Sequence, residues 1–152
     1  MTTADVAAAL DETMDASRAP LLAISEEAAG KPAGSEKWSR KEILGHLIDS
    51  ASNNHHRFVR LQSEELLVMP SYQQNHWVGS QNYNGREWSE LVEFWLAYNR
   101  HLAHVIRHVD ARAAGHIWRA PGKDYRLEFL IEDYLSHLRH HLAQILGASA
   151  AA

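Results

Sequence analysis

Four stretches of this chain repeat apolar residues at steps of three and four, and no stretch sustains the period-two alternation of a half-buried strand. That pattern limits the fold to helices that each have one apolar stripe to bury, and predicts an all-α four-helix bundle. The first predicted helix spans about 3–29. Thr2 or Thr3 caps it, and it closes at Gly30, where a left-handed residue is expected. The second spans about 39–65 and opens on Ser39-Arg40-Lys41-Glu42, a capping box in which the Ser hydroxyl and the Glu carboxylate each satisfy an orphan amide. The third, about 86–109, carries Leu91, Trp95, Tyr98, Leu102, Val105 and Val109 on one stripe. The last, about 124–146, is capped by Asp124, presents Leu127, Ile131, Tyr134, Leu138, Leu142 and Ile145, and ends at Gly147.

Between the second and third helices, Leu66 to Gly85 is long for a loop inside a domain and carries Tyr72, Gln74 and Trp77, which marks it as functional or partly helical. Ala111 to Lys123 reads as a break, with Gly115, Pro121 and Gly122. The 152 residues are expected to form a single domain, large enough to fold without disulfides or an obligatory metal.

Composition narrows the function. Fifteen Lys and Arg against 19 Asp and Glu give a net charge of −4, which argues against nucleic acid and against an anionic membrane surface as partners. Met1 to Leu10 lacks a basic and apolar leader pattern, and no apolar run approaches the ~18 residues of a membrane span, so a cytoplasmic protein is expected. With no Cys, thiolate metal sites and Cys nucleophiles drop out, and any metal must be held by His or carboxylate. No Glu is followed three residues later by His, which removes the di-iron carboxylate pattern. Eleven His, roughly three times average usage, are the feature that remains to be explained.

His137 and His141 lie four apart on one helical face and can share an ion, as can His104 and His108. Random placement of 11 His gives about 0.8 such pairs, so spacing alone does not choose between them. Direction does. In the third helix His101, His104 and His108 fall roughly 80° to 140° from the stripe centre, on a flank or in solvent. In the last helix His141 lies about 60° from the stripe, His137 at its edge, and His140 opposite. The second helix adds His46, Ser50 and Arg57 within about 40° on one flank of its stripe, with Asn53 and Asn54 on either side. His46, His137 and His141 therefore form a candidate three-imidazole site for a divalent ion, with open positions and no anionic ligand. Asp133, one turn before His137, is a candidate acceptor to orient it. Arg57 is a candidate to neutralise an anionic substrate group, and the loop with Gln74 and Trp77 a candidate cover.

The run from Trp38 through His46 to Ser50, with Asn53, Asn54 and Arg57, and the run from Asp133 through His137 and His141 to Leu142 resemble the DinB/YfiT-like superfamily. The segment from Gln73 to Asn99 is similar to one branch of it. The resemblance implies a bundle in up-down-down-up order, a homodimer, and nickel or zinc, or else iron or manganese, held by His46, His137 and His141. It implies a metal-dependent hydrolase, or a transferase that puts a low-molecular-weight thiol of the bacillithiol or mycothiol type onto a small-molecule substrate. The competing readings are a non-catalytic metal-binding module for stress response or interaction and, less favoured, a bundle binding haem through two His.

Overall fold

The computed structural model describes residues 1–147. Four long helices make the bundle: α1 (Thr3–Leu22), α3 (Arg40–Arg60), α5 (Trp88–Arg107) and α6 (Leu127–Leu146). Between them lie the short α2 (Glu26–Ala29) and α4 (Gln74–Ser80) and three strands, β1 (Leu66–Val68), β2 (Ile117–Ala120) and β3 (Lys123–Arg126). Among the described residues, no helix is long and apolar enough to cross a membrane.

Side-chain pairs give each helix its direction. Asp11, Asp15 and Arg18 of α1 pair with Arg107, Arg100 and Glu93 of α5, so α1 and α5 are antiparallel. Lys41 Nζ at the start of α3 donates to the Arg86 carbonyl just before α5, and His55 bonds Tyr98 further along both helices, so α3 and α5 run parallel. Phe58 meets Tyr134 and His46 meets His141, which sets α6 antiparallel to α3. The order is up-down-down-up. Trp95, Leu10, Met14, Leu44, Leu47, Leu91 and Leu102 fill the centre, each contributing ~1.5–3 kcal/mol by burial where the side chain is a large aliphatic. A polar pair sits inside: Tyr134 Oη donates to Asn99 Oδ1 at 2.5 Å.

The helix ends correct several expectations. The first helix stops at Leu22. Pro20 lies in its last turn and removes a backbone donor there, and Ser25 then caps α2 by accepting from the Ala28 amide. Gly30 has φ −80° and is not left-handed. Both expected N-terminal caps form: Thr2 with Asp5 and Ser39 with Glu42 make capping boxes. Glu26 of α2 accepts from the Trp88 amide at the start of α5 and from Lys41 Nζ.

A small sheet, absent from the all-α expectation, flanks the bundle. Its order is β1-β2-β3, with β1 parallel to β2 and β2 antiparallel to β3. The second helix ends at Arg60, short of 65, and Leu61 to Ser63 form a turn that leads to β1. Asp124 pairs with Arg119 across the β2–β3 hairpin and caps nothing. Pro121-Gly122 makes the hairpin turn with Gly122 at φ 78°, a conformation open to Gly at no steric cost. The α6 amides of Leu127 and Glu128 are satisfied by the carbonyls of His116 and Ala114.

Candidate metal centre

Ser39 fixes where α3 begins, and seven residues later His46 points inward, 0% exposed. Its ring lies 5.3 Å from that of His137 and 4.7 Å from that of His141, with the Trp38 indole 5.2 Å away. Among the described residues neither His46 Nδ1 nor His46 Nε2 has a hydrogen-bond partner. A buried imidazole with both nitrogens unpaired loses its hydration without compensation, and native proteins rarely retain such a group unless something else binds it.

The other two rings come from adjacent turns of α6. His137 Nε2 and His141 Nε2 stand 3.1 Å apart, and one nitrogen from each of the three rings lies within 4.8 Å of the others. Ligand atoms ~2.1 Å from a common ion are separated by roughly 3.0–3.4 Å, so the α6 pair already has the spacing of two ligands on one ion. His141 Nδ1–H donates to Gln144 Oε1 at 2.6 Å, which leaves the His141 Nε2 lone pair directed at the cluster. Burial pushes all three pKa values down. His46 falls to about 3 through burial and then the neighbouring His141 and His137. His137 falls through burial and then His141, and His141 through burial against an opposing contribution from Gln144. Neutral imidazoles with converging lone pairs are the donor set of a divalent transition-metal ion, and the residues fit one.

His104 and His108 do not join this cluster. His104 lies on the exposed face of α5 and His108 is its exposed C-cap, and among the described residues no other three His or carboxylate side chains meet closely enough to hold an ion. His140 is exposed, as the periodicity predicts. Asp133 is exposed and among the described residues makes no hydrogen bond to His137, though its charge opposes the fall in that ring's pKa. Gln144 does at His141 what was expected of Asp133 at His137. The signal for it is the same helical spacing, since Gln144 lies three residues after His141.

The cluster borders a cavity of about 190 Å³ that runs from His137 past Arg57 to Tyr72 and Trp118. Arg57 is buried with its guanidinium 3.8 Å over the Trp118 ring. Gln74 lines the cavity and Trp77 packs on Tyr72, so the long loop contributes a wall as expected, through α4 and the residues before it. Asp49, one turn beyond His46, was not anticipated. It is buried, its Oδ1 accepts from Tyr83 Oη at 2.6 Å and Gln81 Nε2 at 2.8 Å, and burial raises its pKa.

A sequence model of the DinB superfamily matches residues 9–145. The chain belongs to the DinB superfamily. Among solved structures, this DinB-superfamily chain is similar to YfiT from Bacillus subtilis, described as "a probable metal-dependent hydrolase with an unusual four-helix bundle topology". The two superpose with a TM-score of 0.85 over 98% of this chain and 85% of that one, at 17% identity, a likeness of fold. No curated protein sequence matches the DinB-superfamily chain.

Proposed function

We propose that this DinB-superfamily protein is a divalent-metal-dependent enzyme whose ion, nickel or zinc as the family resemblance implies, is held by His46, His137 and His141. The observation that carries the reading is His46: fully buried, with both ring nitrogens unpaired, and facing two Nε2 atoms 3.1 Å apart. The description of YfiT as a metal-dependent hydrolase supports hydrolysis of a small-molecule substrate as the first reaction to test. Transfer of a low-molecular-weight thiol is the second.

When bound, such an ion supplies Lewis acidity and lowers the pKa of a water or thiol. The protein's own part is to hold three neutral imidazoles, none of them anionic, so that the full +2 charge is retained. Gln144 fixes the tautomer of His141. Trp38 packs on His46 and closes that side. His137 is the one ligand that borders the cavity, so substrate approaches along its side of the cluster. That opening favours turnover over a non-catalytic metal-binding role.

Elemental analysis of untagged protein, calorimetric titration with Zn²⁺ and Ni²⁺, and ester, amide and thiol-conjugation assays with and without chelator test the reading. Metal-dependent turnover is expected. Turnover that survives complete metal removal, or absence of tight metal binding, overturns it.

A further inference from the structure

The cavity beside His137 holds a cation that the protein leaves unbalanced. Arg57 is 6% exposed and takes part in none of the ion pairs among the described residues. Among the described residues its Nε has no hydrogen-bond partner, and its one side-chain bond is a long one, from Nη1 to Asn54 Oδ1 at 3.4 Å. A guanidinium does not escape this by losing its proton, so the fold carries a desolvated charge without a counter-ion. Trp118 covers one face of the guanidinium and is itself fixed by donating from Nε1 to the Met69 carbonyl at 2.8 Å. With a face stacked and the N–H edge under-used, the group is oriented for in-plane, two-point bonding to a planar anion.

Volume and lining narrow the ligand further. About 190 Å³ is below the ~300–1,000 Å³ of drug-sized pockets and a little above the ~150 Å³ that holds benzene, so one ring or its equivalent fits. Tyr125, Phe129 and Leu130 line the cavity with apolar surface. Tyr72, whose phenol burial lifts to about 12, remains a neutral hydroxyl. Asp133 is exposed, on the α6 side with His137, leaving Arg57 as the buried charge of the cavity.

We propose that Arg57, stacked on Trp118, recognises the carboxylate of a small apolar acid whose body lies along Tyr125, Phe129 and Leu130 and whose other end reaches His137. This names the substrate class for the metal centre and rests on the reading of that centre as catalytic.

Benzoate and its neutral counterpart benzyl alcohol, titrated calorimetrically into the full chain with and without zinc, provide the test. Metal-free protein isolates Arg57 from any direct contact between carboxylate and zinc. Benzoate is expected to bind metal-free protein at least tenfold more tightly than benzyl alcohol. Arg57→Met is expected to lose that preference with an unchanged or higher melting temperature, because an unpaired buried cation gives way to an apolar chain of similar length. Arg57→Lys, which keeps charge without the planar fork, recovers only part. Equal affinities for the two ligands in the wild type overturn the proposal, as does benzoate binding retained in Arg57→Met. Should Arg57→Met fail to fold, wild type and Arg57→Lys decide, since an Arg57 serving only to pack gives no preference for the acid in either. His141→Ala separates the two readings: it is expected to lose zinc while keeping benzoate in metal-free protein. A wild type that prefers benzoate yet binds no zinc fails the metal reading alone, and one that binds zinc without preferring benzoate fails only this proposal.

Discussion

The cleft has two walls of unlike construction. One is helical: α3 and α6 bring His46, Arg57, His137 and His141 from a close-packed core in which helix position dictates where each side chain points. The other is made of strands three or four residues long and the segment around Tyr72, joined by a few ladder bonds and the Trp118–Met69 bond. The helical wall holds the groups that must be placed to a fraction of an ångström. The sheet wall supplies area and shape, and tolerates more.

The largest expected effect tests that division directly. His141→Ala should weaken zinc binding by more than ~100-fold, beyond the usual loss for an outer hydrogen-bond partner, with helical circular dichroism unchanged. Trp118→Phe should leave zinc affinity within about twofold. If Trp118→Phe costs as much zinc affinity as His141→Ala, the walls are not separable in function.

Next comes the joint between them. A Cβ on Gly45 of α3 would lie 2.1 Å from Cδ2 of the buried Tyr83 ring, so Gly45→Ala forces the loop off the helix. Urea denaturation should register a loss of about 1–3 kcal/mol, and a fully stable variant would show that the loop yields freely.

A pH experiment sharpens the helical side. His46 is held near 3 against an ordinary 6.5, so the unfolded chain binds the proton more readily than the folded one, and stability falls as pH drops below 6.5. At pH 5.5 that one group should lower metal-free stability by about 1.4 kcal/mol relative to pH 7.5. His137 and His141, whose values are also depressed, add in the same direction. The urea midpoint of His46→Leu should vary less with pH than that of the wild type. Equal pH dependence would mean that His46 does not carry the linkage.

The smallest effect belongs to the sheet. Arg119→Ala removes an ion pair to Asp124 that is about half exposed on both sides, and should change stability by less than ~1 kcal/mol. Amides of β1 and β2 should exchange with deuterium before those at Leu47 and Leu138, and the reverse order would make the sheet the firmer wall.

Legibility in the sequence divided along the same line. Helical periodicity runs for 20 or 21 residues in each bundle helix, long enough to orient His46, His137 and His141 and to leave His104, His108 and His140 outside. Strands of three and four residues are too short to register an alternation, so β1 falls inside the expected loop from Leu66 to Gly85 and β3 mostly inside the start of the expected last helix. Pro121-Gly122 signals a turn of unspecified kind, since Pro-Gly is not among the Asn-Gly, Asp-Gly or Gly-Gly pairs that mark a two-residue hairpin. Stacking of Trp118 on Arg57 joins positions far apart in the chain and leaves no local mark. The order of the helices was implied by the family resemblance, because periodicity shows which face is buried and not against which neighbour.

Parallel neighbours raise an electrostatic question that antiparallel ones avoid. Alignment of α3 and α5 sets two helix N-termini side by side, each bearing roughly half a positive elementary charge from its summed peptide dipoles, so like poles adjoin. Glu26 meets them both. One of its carboxylate oxygens takes the first amide of α5, at 2.7 Å, the other the Lys41 ammonium in the first turn of α3, and these bonds hold its pKa below the usual range. Glu87, at the N-cap of α5, makes no side-chain bond there, so besides Glu90 in its own first turn the macrodipole of α5 is met by Glu26, 62 positions before Trp88. The break after Leu22 that makes α2 a separate element thus delivers a carboxylate to the paired N-termini of α3 and α5, while at the other parallel pair, α1 and α6, the Met1 ammonium meets Glu132.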